Sequence, residues 1–301
     1  MTSWTVRLLG LRASLVMSGD RVGFEMSLPA GSLKRGVAGM LAQKSARQAS
    51  AAMAPEPIDP DLAELARQVA GVTWYQSIDL GRGFVTPGFY DHRPILERYS
   101  LPERLDGMRV LDVATFDGFW AFEFERRGAA EILALDVDCM SDIDLPFRRR
   151  ALASEEELAA PFGQGFSIAH AARRSRVQHV TCNVYDLTPE RFGRFDFVHV
   201  GDLLLHLRDP ALALSRIRNV TSRYAFISDV IYPDLDRFDD QPIMQYDGGA
   251  GENIWWRFGA RALRRMIEDA GFDQVEELNR FRYGPRGKDA TLWHVIYRAT
   301  P

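Results

Sequence analysis

"VLDVATFDGFWAFEFERRGA", residues 110–129, reads as a strand, a turn and a helix. An apolar run carries Asp112 at its end, a short turn follows, and a helix over 118–127 is closed by Gly128. A nucleotide-binding turn at this place is usually rich in glycine. This one has only Gly118, and Ala114 and Phe116 stand where the first two glycines would be.

Outward from this unit the chain alternates strands and helices. "MRVLDVA" (108–114), "EILALDV" (131–137), "VQHVTCN" (177–183), "FDFVHVG" (195–201) and "YAFISDV" (224–230) read as strands. "GFSIAHAARRSR" (165–176) reads as a helix, and 142–163 as an irregular helical insertion. Asp209-Pro210 starts a helix with Ala213, Leu214, Ile217 and Val220 on one face. Leu263, Met266, Ile267 and Ala270 give another, ended by Gly271. "DQVEEL" (273–278) and "TLWHVIYRA" (291–299) follow with no helix between them, which favours an antiparallel pair. The expected fold is α/β: a Rossmann-like, mostly parallel seven-stranded methyltransferase sheet with a C-terminal antiparallel hairpin.

The domain reading is an N-terminal extension and cap segment over 1–100 and the sheet domain over 101–301. "WTVRLLGLRASLVMSGDRVGFEMSL" (4–28) mixes β-like alternation with a Ser-Gly-Asp turn, and "MAPEPIDPD" (53–61) reads as a linker. In "DPDLAELARQVAG" (59–71), Asp59 is the expected N-cap and Gly71 the stop. The extension is a candidate homo-oligomer contact.

Net charge is −4, from 37 basic and 41 acidic residues, which disfavours a wide nucleic-acid footprint. The arginine runs at 148–151 and 171–176 read first as solvated helix faces. Cys139 and Cys182 lack metal-ligand spacing, so neither a disulfide framework nor a metal is expected. "RLLGLRASLVMS" is too short and too arginine-broken to span a bilayer and lacks a signal-peptide layout. The expected location is cytoplasmic, with no membrane partner.

Ligands of open parallel sheets bind beyond the carboxyl ends of the strands. A pyrophosphate there would meet the side chains of Ala114 and Phe116 and be repelled by Asp112. S-adenosylmethionine has no phosphate, and its sulfonium and ammonium groups suit acids. Asp136, 24 residues after Asp112, ends the second strand and can accept from two ribose hydroxyls. Asp186 in "NVYDL" is placed to accept from an adenine amino group. Ala114, Thr115, Phe116, Gly118, Val137 and Tyr185 complete the expected cofactor wall. Helix capping is the plainer role for each acid.

"VGDLLLHLRDP" (200–210) leaves the fourth strand beside the expected methyl position. Gly201 allows close approach, Asp202 can bind the ammonium or the acceptor, and His206 is the leading base candidate. Helix packing is the competing role for His206, and Asp229 is an alternative base or turn former. Trp255, Trp256 and Arg257 follow the Gly-rich "YDGGAGEN" and are expected as a lid over the acceptor. Tyr75, Thr86 and Tyr90, with Gln76, are expected in a cap over the cofactor. His92, His170, His179, His199 and His294 are read as structural, His92 least firmly.

These motifs resemble class I S-adenosylmethionine-dependent methyltransferases, over residue 105 to the end. Within them, "WYQSIDLGRGFVTPG" (74–88), "LDVATFDGFWAFEFERRGA" (111–129), "GDLLLHLRDPALAL" (201–214) and "ENIWWRF" (252–258) resemble the CmoB-like group of tRNA wobble-uridine carboxymethyl-transferring enzymes. The resemblance implies carboxy-S-adenosylmethionine as an alternative cofactor, its extra carboxylate held by basic and Trp side chains after the "ID". Here that stretch reads "LGRGFVTPGFYDHRP", with only Arg82 and Arg93 to substitute. The first expectation is therefore methyl transfer from S-adenosylmethionine to an O or N acceptor on a small metabolite. tRNA modification is second, and a non-catalytic binding protein on this scaffold is third.

Overall fold

The computed structural model describes the strands Thr2–Leu8, Leu11–Ser18 and Arg21–Ser27, and residues 60–238, 241–249, 253–288 and 291–301. The chain divides into two units, Met1–Ile58 and Asp59–Pro301. In the first, β1 (Thr2–Leu8), β2 (Leu11–Ser18) and β3 (Arg21–Ser27) form an antiparallel sheet, with Ser18 opposite Arg21; Gly19 and Asp20 of the expected turn lie outside the described residues. Asp59 and most of the proline-rich linker lie outside the described residues.

The second unit opens with α1 (Pro60–Ala70), after which Gly71 donates to the carbonyls of Arg67 and Gln68. The cap segment follows and packs within this same unit. Then come β4 (Arg109–Val113), α2 (Phe119–Arg126) and β5 (Glu131–Asp136). The insertion holds two short helices, α3 (Phe147–Leu152) and α4 (Glu155–Leu158). The repeat continues with α5 (Gln164–Arg173), β6 (Gln178–Thr181), α6 (Pro189–Phe192), β7 (Phe195–Gly201), α7 (Pro210–Val220) and β8 (Thr221–Ile231). It ends with β9 (Met244–Tyr246), β10 (Trp256–Phe258), α8 (Ala260–Asp269), β11 (Gln274–Tyr283) and β12 (Leu292–Thr300).

The sheet order is β11-β12-β8-β7-β4-β5-β6, with β10 also pairing parallel to β8 and antiparallel to β9. β12 alone among the seven runs against its neighbours β8 and β11. Strand order reverses between β4 and β7, so a crevice opens at their carboxyl ends.

Alternation along each strand feeds two cores. Leu111, Val113, Val198 and Val200 pack with Leu214, Ile217 and Val220 of α7 and Leu263 and Ile267 of α8. Val110, Phe197 and Phe226 point the other way, to Phe122 and Phe124 of α2 and to Trp74 and Ile78 of the cap. Asp209 accepts from the Leu212 amide at 2.9 Å, the cap that its position before Pro210 implied. Among the described residues, no helix is long and apolar enough to cross a membrane.

Candidate active site

The turn after β4 keeps the shape of a glycine loop without its glycines. Ala114 (φ 58°) and Phe116 (φ 51°) both adopt the left-handed region, as does Gly118 (φ 94°). Each non-glycine residue there costs about 1 kcal/mol or more. Bonds on every side hold the strained shape. Thr115 donates its amide to Leu135 O at 3.1 Å and its hydroxyl to Asp112 Oδ2 at 2.7 Å. The Phe116 amide donates to Asp136 Oδ2 at 2.8 Å. Gly118 is obligatory, because a Cβ would lie 2.6 Å from Phe166 Cδ2 and 2.7 Å from Phe122 Cε2.

A clamp that the sequence reading missed fixes the cap to this turn. Asp117, 4% exposed, accepts from the amides of Tyr75 and Gln76 at 2.7 and 2.9 Å, both through Oδ2. Gln76 Oε1 in return accepts from the Phe119 amide at 3.0 Å, an N–H in the first turn of α2 that lacks a helical partner. Burial pushes the Asp117 carboxyl up to about 6 despite these bonds. The Phe116 ring packs between Tyr75 of the cap and Phe162 of the insertion, at centroid distances of 5.2 and 5.5 Å.

Beneath the cap lies a cavity of about 540 Å³, in the range of small-molecule sites. Its floor is the strand ends: Asp112, Ala114, Asp136, Val137, Gly201 and Asp202. Cys182, Asn183 and Val184 form one side, Met140, Asp142, Ile143, Asp144 and Leu145 with Phe162 another, and Tyr75, Gln76, His92 and Trp120 the cap side. Five carboxylates (Asp112, Asp136, Asp142, Asp144, Asp202) and one guanidinium (Arg149) stand on this wall. That balance attracts a cation and repels a pyrophosphate. Burial pushes Asp136 up to about 6 and takes His92 down to about 4. Burial opposes ionisation of Asp202, but the His294 imidazole 3.5 Å away holds it below the usual carboxylate range. Asp229 is raised by its own burial and by the charge of Asp202.

Residues 88–277 match the family described as "Methyltransferase domain", well over half of the chain. The chain belongs to this methyltransferase family. Its sheet order is that of the class I fold, and the solved structures agree. The N-terminal domain of EvdMO1 with SAH bound aligns with a TM-score of 0.51 at 17% identity, over 82% of this chain and 99% of that one. The same domain in the presence of SAH and D-fucose gives 0.51 and 17%, over 80% and 97%. Against the longer EvdMO1 chain the match spans 79% of this methyltransferase and 47% of that chain, with a TM-score of 0.48 at 17% identity. At such identity the likeness is one of fold. No curated protein sequence matches.

Several expected site residues of the methyltransferase stand elsewhere. Asp186 is exposed and off the cavity wall, because the single 3-10 turn Val184–Asp186 carries it outward; Asn183 faces the cavity instead. Tyr185 is also off the wall, and its hydroxyl donates to Asp144 Oδ2 at 2.5 Å, tying down the insertion. Trp255, Trp256 and Arg257 form no lid. They enter and build β10: the Trp255 indole donates to Asp144 O at 2.6 Å, the Trp256 indole to Arg208 O at 3.2 Å, and Arg257 pairs with Asp247 at 2.7 Å. Thr86 is fully buried and braces the cap internally, accepting from the Ile78 amide and donating to Gln76 O. Tyr90 supports Tyr75, 4.9 Å away, rather than lining the wall. Arg82 is off this wall, and Arg93 is bound to Asp91 at 2.8 Å. Asp229 accepts from the amides of Leu205 and Val230 and does not face the cavity.

His206 does face the cavity, and its Nδ1 meets the backbone carbonyl of Asn253. A carbonyl opposite Nδ1 requires an N–H there, which makes Nε2 the basic nitrogen of the neutral ring. His92 and His199, read as structural, also reach the wall. Among the described residues, no cluster of three or more His, Cys, Asp or Glu is placed to hold a metal ion.

Proposed function

We propose that this methyltransferase moves a methyl group from S-adenosylmethionine to an oxygen or nitrogen of a small metabolite by in-line displacement. The observation that carries the reading is the acidic floor, with Asp112, Asp136 and Asp202 at or just past the ends of three adjacent strands and one guanidinium on the whole wall. The residues fit a cationic, phosphate-free donor. Asp136 would accept from the ribose hydroxyls, since each carboxylate oxygen keeps a lone pair beyond its amide bond. Cys182, Asn183 and Val184 would flank the adenine. When bound, the donor supplies a methyl group already activated by its sulfonium.

The chain's own part is alignment, exclusion of water and handling of a proton. The clamped cap and the insertion shield the strand ends. His206 Nε2, on the same wall, takes the proton from an acceptor hydroxyl or N–H. A recessed cavity flanked by cap and insertion favours a small acceptor over a folded tRNA, as does the net charge of −4. The EvdMO1 domain crystallised with SAH and D-fucose points in the same direction, toward a hydroxylated metabolite such as a sugar. The positions of Arg82 and Arg93 argue for the plain donor over the carboxylated one.

The test is incubation with labelled S-adenosylmethionine and two acceptor sets, hydroxylated or amino metabolites and unmodified tRNA, with products read by mass spectrometry. Methylated metabolite with unlabelled tRNA is expected. Label in tRNA alone would overturn the small-acceptor reading, and tight donor binding without any product would support a binding protein.

A further inference from the structure

Three imidazoles reach the cavity wall, those of His92, His199 and His206. His206 holds Nδ1 against Asn253 O and is assigned to the proton. His199 and Asp112 are direct partners across β4 and β7, with Nδ1 2.8 Å from Oδ1, and His199 Nε2 is sealed, with no partner among the described residues. His92 differs from both. Its Nε2 makes no hydrogen bond among the described residues, yet does not share the complete burial of His199 Nε2. An unpaired ring nitrogen open to a cavity is available to a ligand.

The cap sets this ring in one orientation. His92 is the N-cap of the 3-10 helix Arg93–Tyr99, and that helix returns the Tyr99 hydroxyl to Nδ1 at 3.2 Å. Phe119, Trp120 and Tyr283 pack around the imidazole at 5.2, 5.0 and 5.1 Å. Tyr99 is 3% exposed, and its hydroxyl has no other partner among the described residues. A buried O–H without an acceptor is destabilising, so Tyr99 donates to Nδ1 and the ring proton sits on Nε2. Burial takes His92 down to about 4, so the ring stays neutral near neutral pH and keeps this tautomer. His92 therefore offers the cavity an N–H where His206 offers a lone pair.

We propose that the Nε2–H of His92 binds an oxygen of the methyl acceptor, so that the acceptor carries a second oxygen beside the group that reacts. His92 stands on the cap side with Gln76 and Trp120, whereas the donor's nucleoside is assigned to Asp136 and residues 182–184. His92 and His206 both lie close enough to Asp202 for their charges to act on it, which gathers the two imidazoles around one end of the cavity. An acceptor between them gives a proton to His206 and receives a hydrogen bond from His92. That describes a polyhydroxylated or hydroxy-carbonyl metabolite rather than a lone alcohol. The assignment rests on the small-acceptor reading above and narrows its substrate class. It makes His92 an acceptor-binding residue and Tyr99 the residue that positions it.

The full chain is assayed with S-adenosylmethionine and two pairs of probe acceptors: D-fucose and catechol, with adjacent oxygens, and cyclohexanol and phenol, with one each. Methylation confined to the adjacent-oxygen probes is expected. His92→Asn keeps a carbonyl for Tyr99 and removes the Nε2–H, while His92→Gln restores an amide N–H near the Nε2 position. For the adjacent-oxygen probes kcat/KM should fall about tenfold or more in His92→Asn and return to within about threefold of wild type in His92→Gln. Affinity for S-adenosylhomocysteine should stay within about twofold in both variants. If His92→Asn does not fold, nitrogen NMR of labelled histidine decides: wild-type His92 should be protonated on Nε2, and Tyr99→Phe should release that preference. Protonation on Nδ1 in the wild type, equal turnover of the single-oxygen probes, or unchanged kcat/KM in His92→Asn overturns the proposal. So does a loss of S-adenosylhomocysteine affinity, which would give the N–H to the donor. Wild-type protein that methylates none of the probes overturns the small-acceptor reading itself, and this assignment with it.

Discussion

Replacing Asp117 by Asn should stabilise the protein near neutral pH and do so less in acid. Both amide bonds to the cap end on Oδ2, so an Asn with its carbonyl oxygen there keeps both acceptor contacts. What it removes is the burden of ionising a buried carboxyl. The folded-state value is raised from 3.8 to about 6, and the difference of about 2.2 units corresponds to about 3 kcal/mol at neutral pH. The folded protein binds more protons than the unfolded chain between these values. Wild-type stability therefore falls as pH rises through that window. Neutral bonds are weaker than charge-assisted ones, so the net gain should be about 1–2 kcal/mol. Urea unfolding of both proteins at about pH 4.5 and about pH 7.5 isolates the effect, because other titrating groups cancel in the difference. If the variant gains no more over wild type at the higher pH than at the lower, burial of this carboxylate is not the controlling factor. Asp117→Ala strands two buried amides instead and should raise hydrogen exchange over residues 74–90.

Other predictions concern the site. Donor affinity should weaken as pH falls through about 6, by up to about tenfold per unit, because protonated Asp136 accepts poorly; calorimetry from about pH 5 to about pH 8 would show it. Asp136→Ala should weaken binding at least tenfold at neutral pH without unfolding the chain, and unchanged affinity would sink the ribose assignment. His206→Ala should slow methyl transfer about 10²-fold or more while leaving donor affinity within a few-fold; intact turnover would make His206 a packing residue. Gly118→Ala should lose at least about 2 kcal/mol in urea unfolding, from its positive φ and the overlap with Phe122 and Phe166.

The sheet was legible because each strand carries its own apolar run and the intervening helices carry local boundary signals, stops at Gly128 and Gly271 and a start at the Asp209 cap. Asp112, Asp136 and Gly201 were legible as residues of the cavity wall because they stand at strand ends, where open parallel sheets form their crevice. Asp117 was not, since its partners lie 42 and 41 residues away and nothing local marks it. The residues of 140–145 were hidden by irregular composition. Asp186 shows the limit of counting acids after strands, because one 3-10 turn decides whether Asn183 or Asp186 faces inward. The aromatic run at 255–256 had the look of a lid, but strand pairing across the chain turned it into a support. His199 reads as a core residue until the register sets it against Asp112.

Ala114, Phe116 and Asp202 all hold left-handed backbone around one cavity, which makes the site a reservoir of strain. Glycine at any of these positions would relax the backbone, so the substitutions that most readily harden this protein against heat fall where its shape matters most. Phe116 makes the conflict plain. Its ring joins cap to insertion, and trading it for glycine would ease the turn while unfastening the roof. Selection for thermostability alone should therefore drift toward a more ordinary glycine loop and a looser chamber.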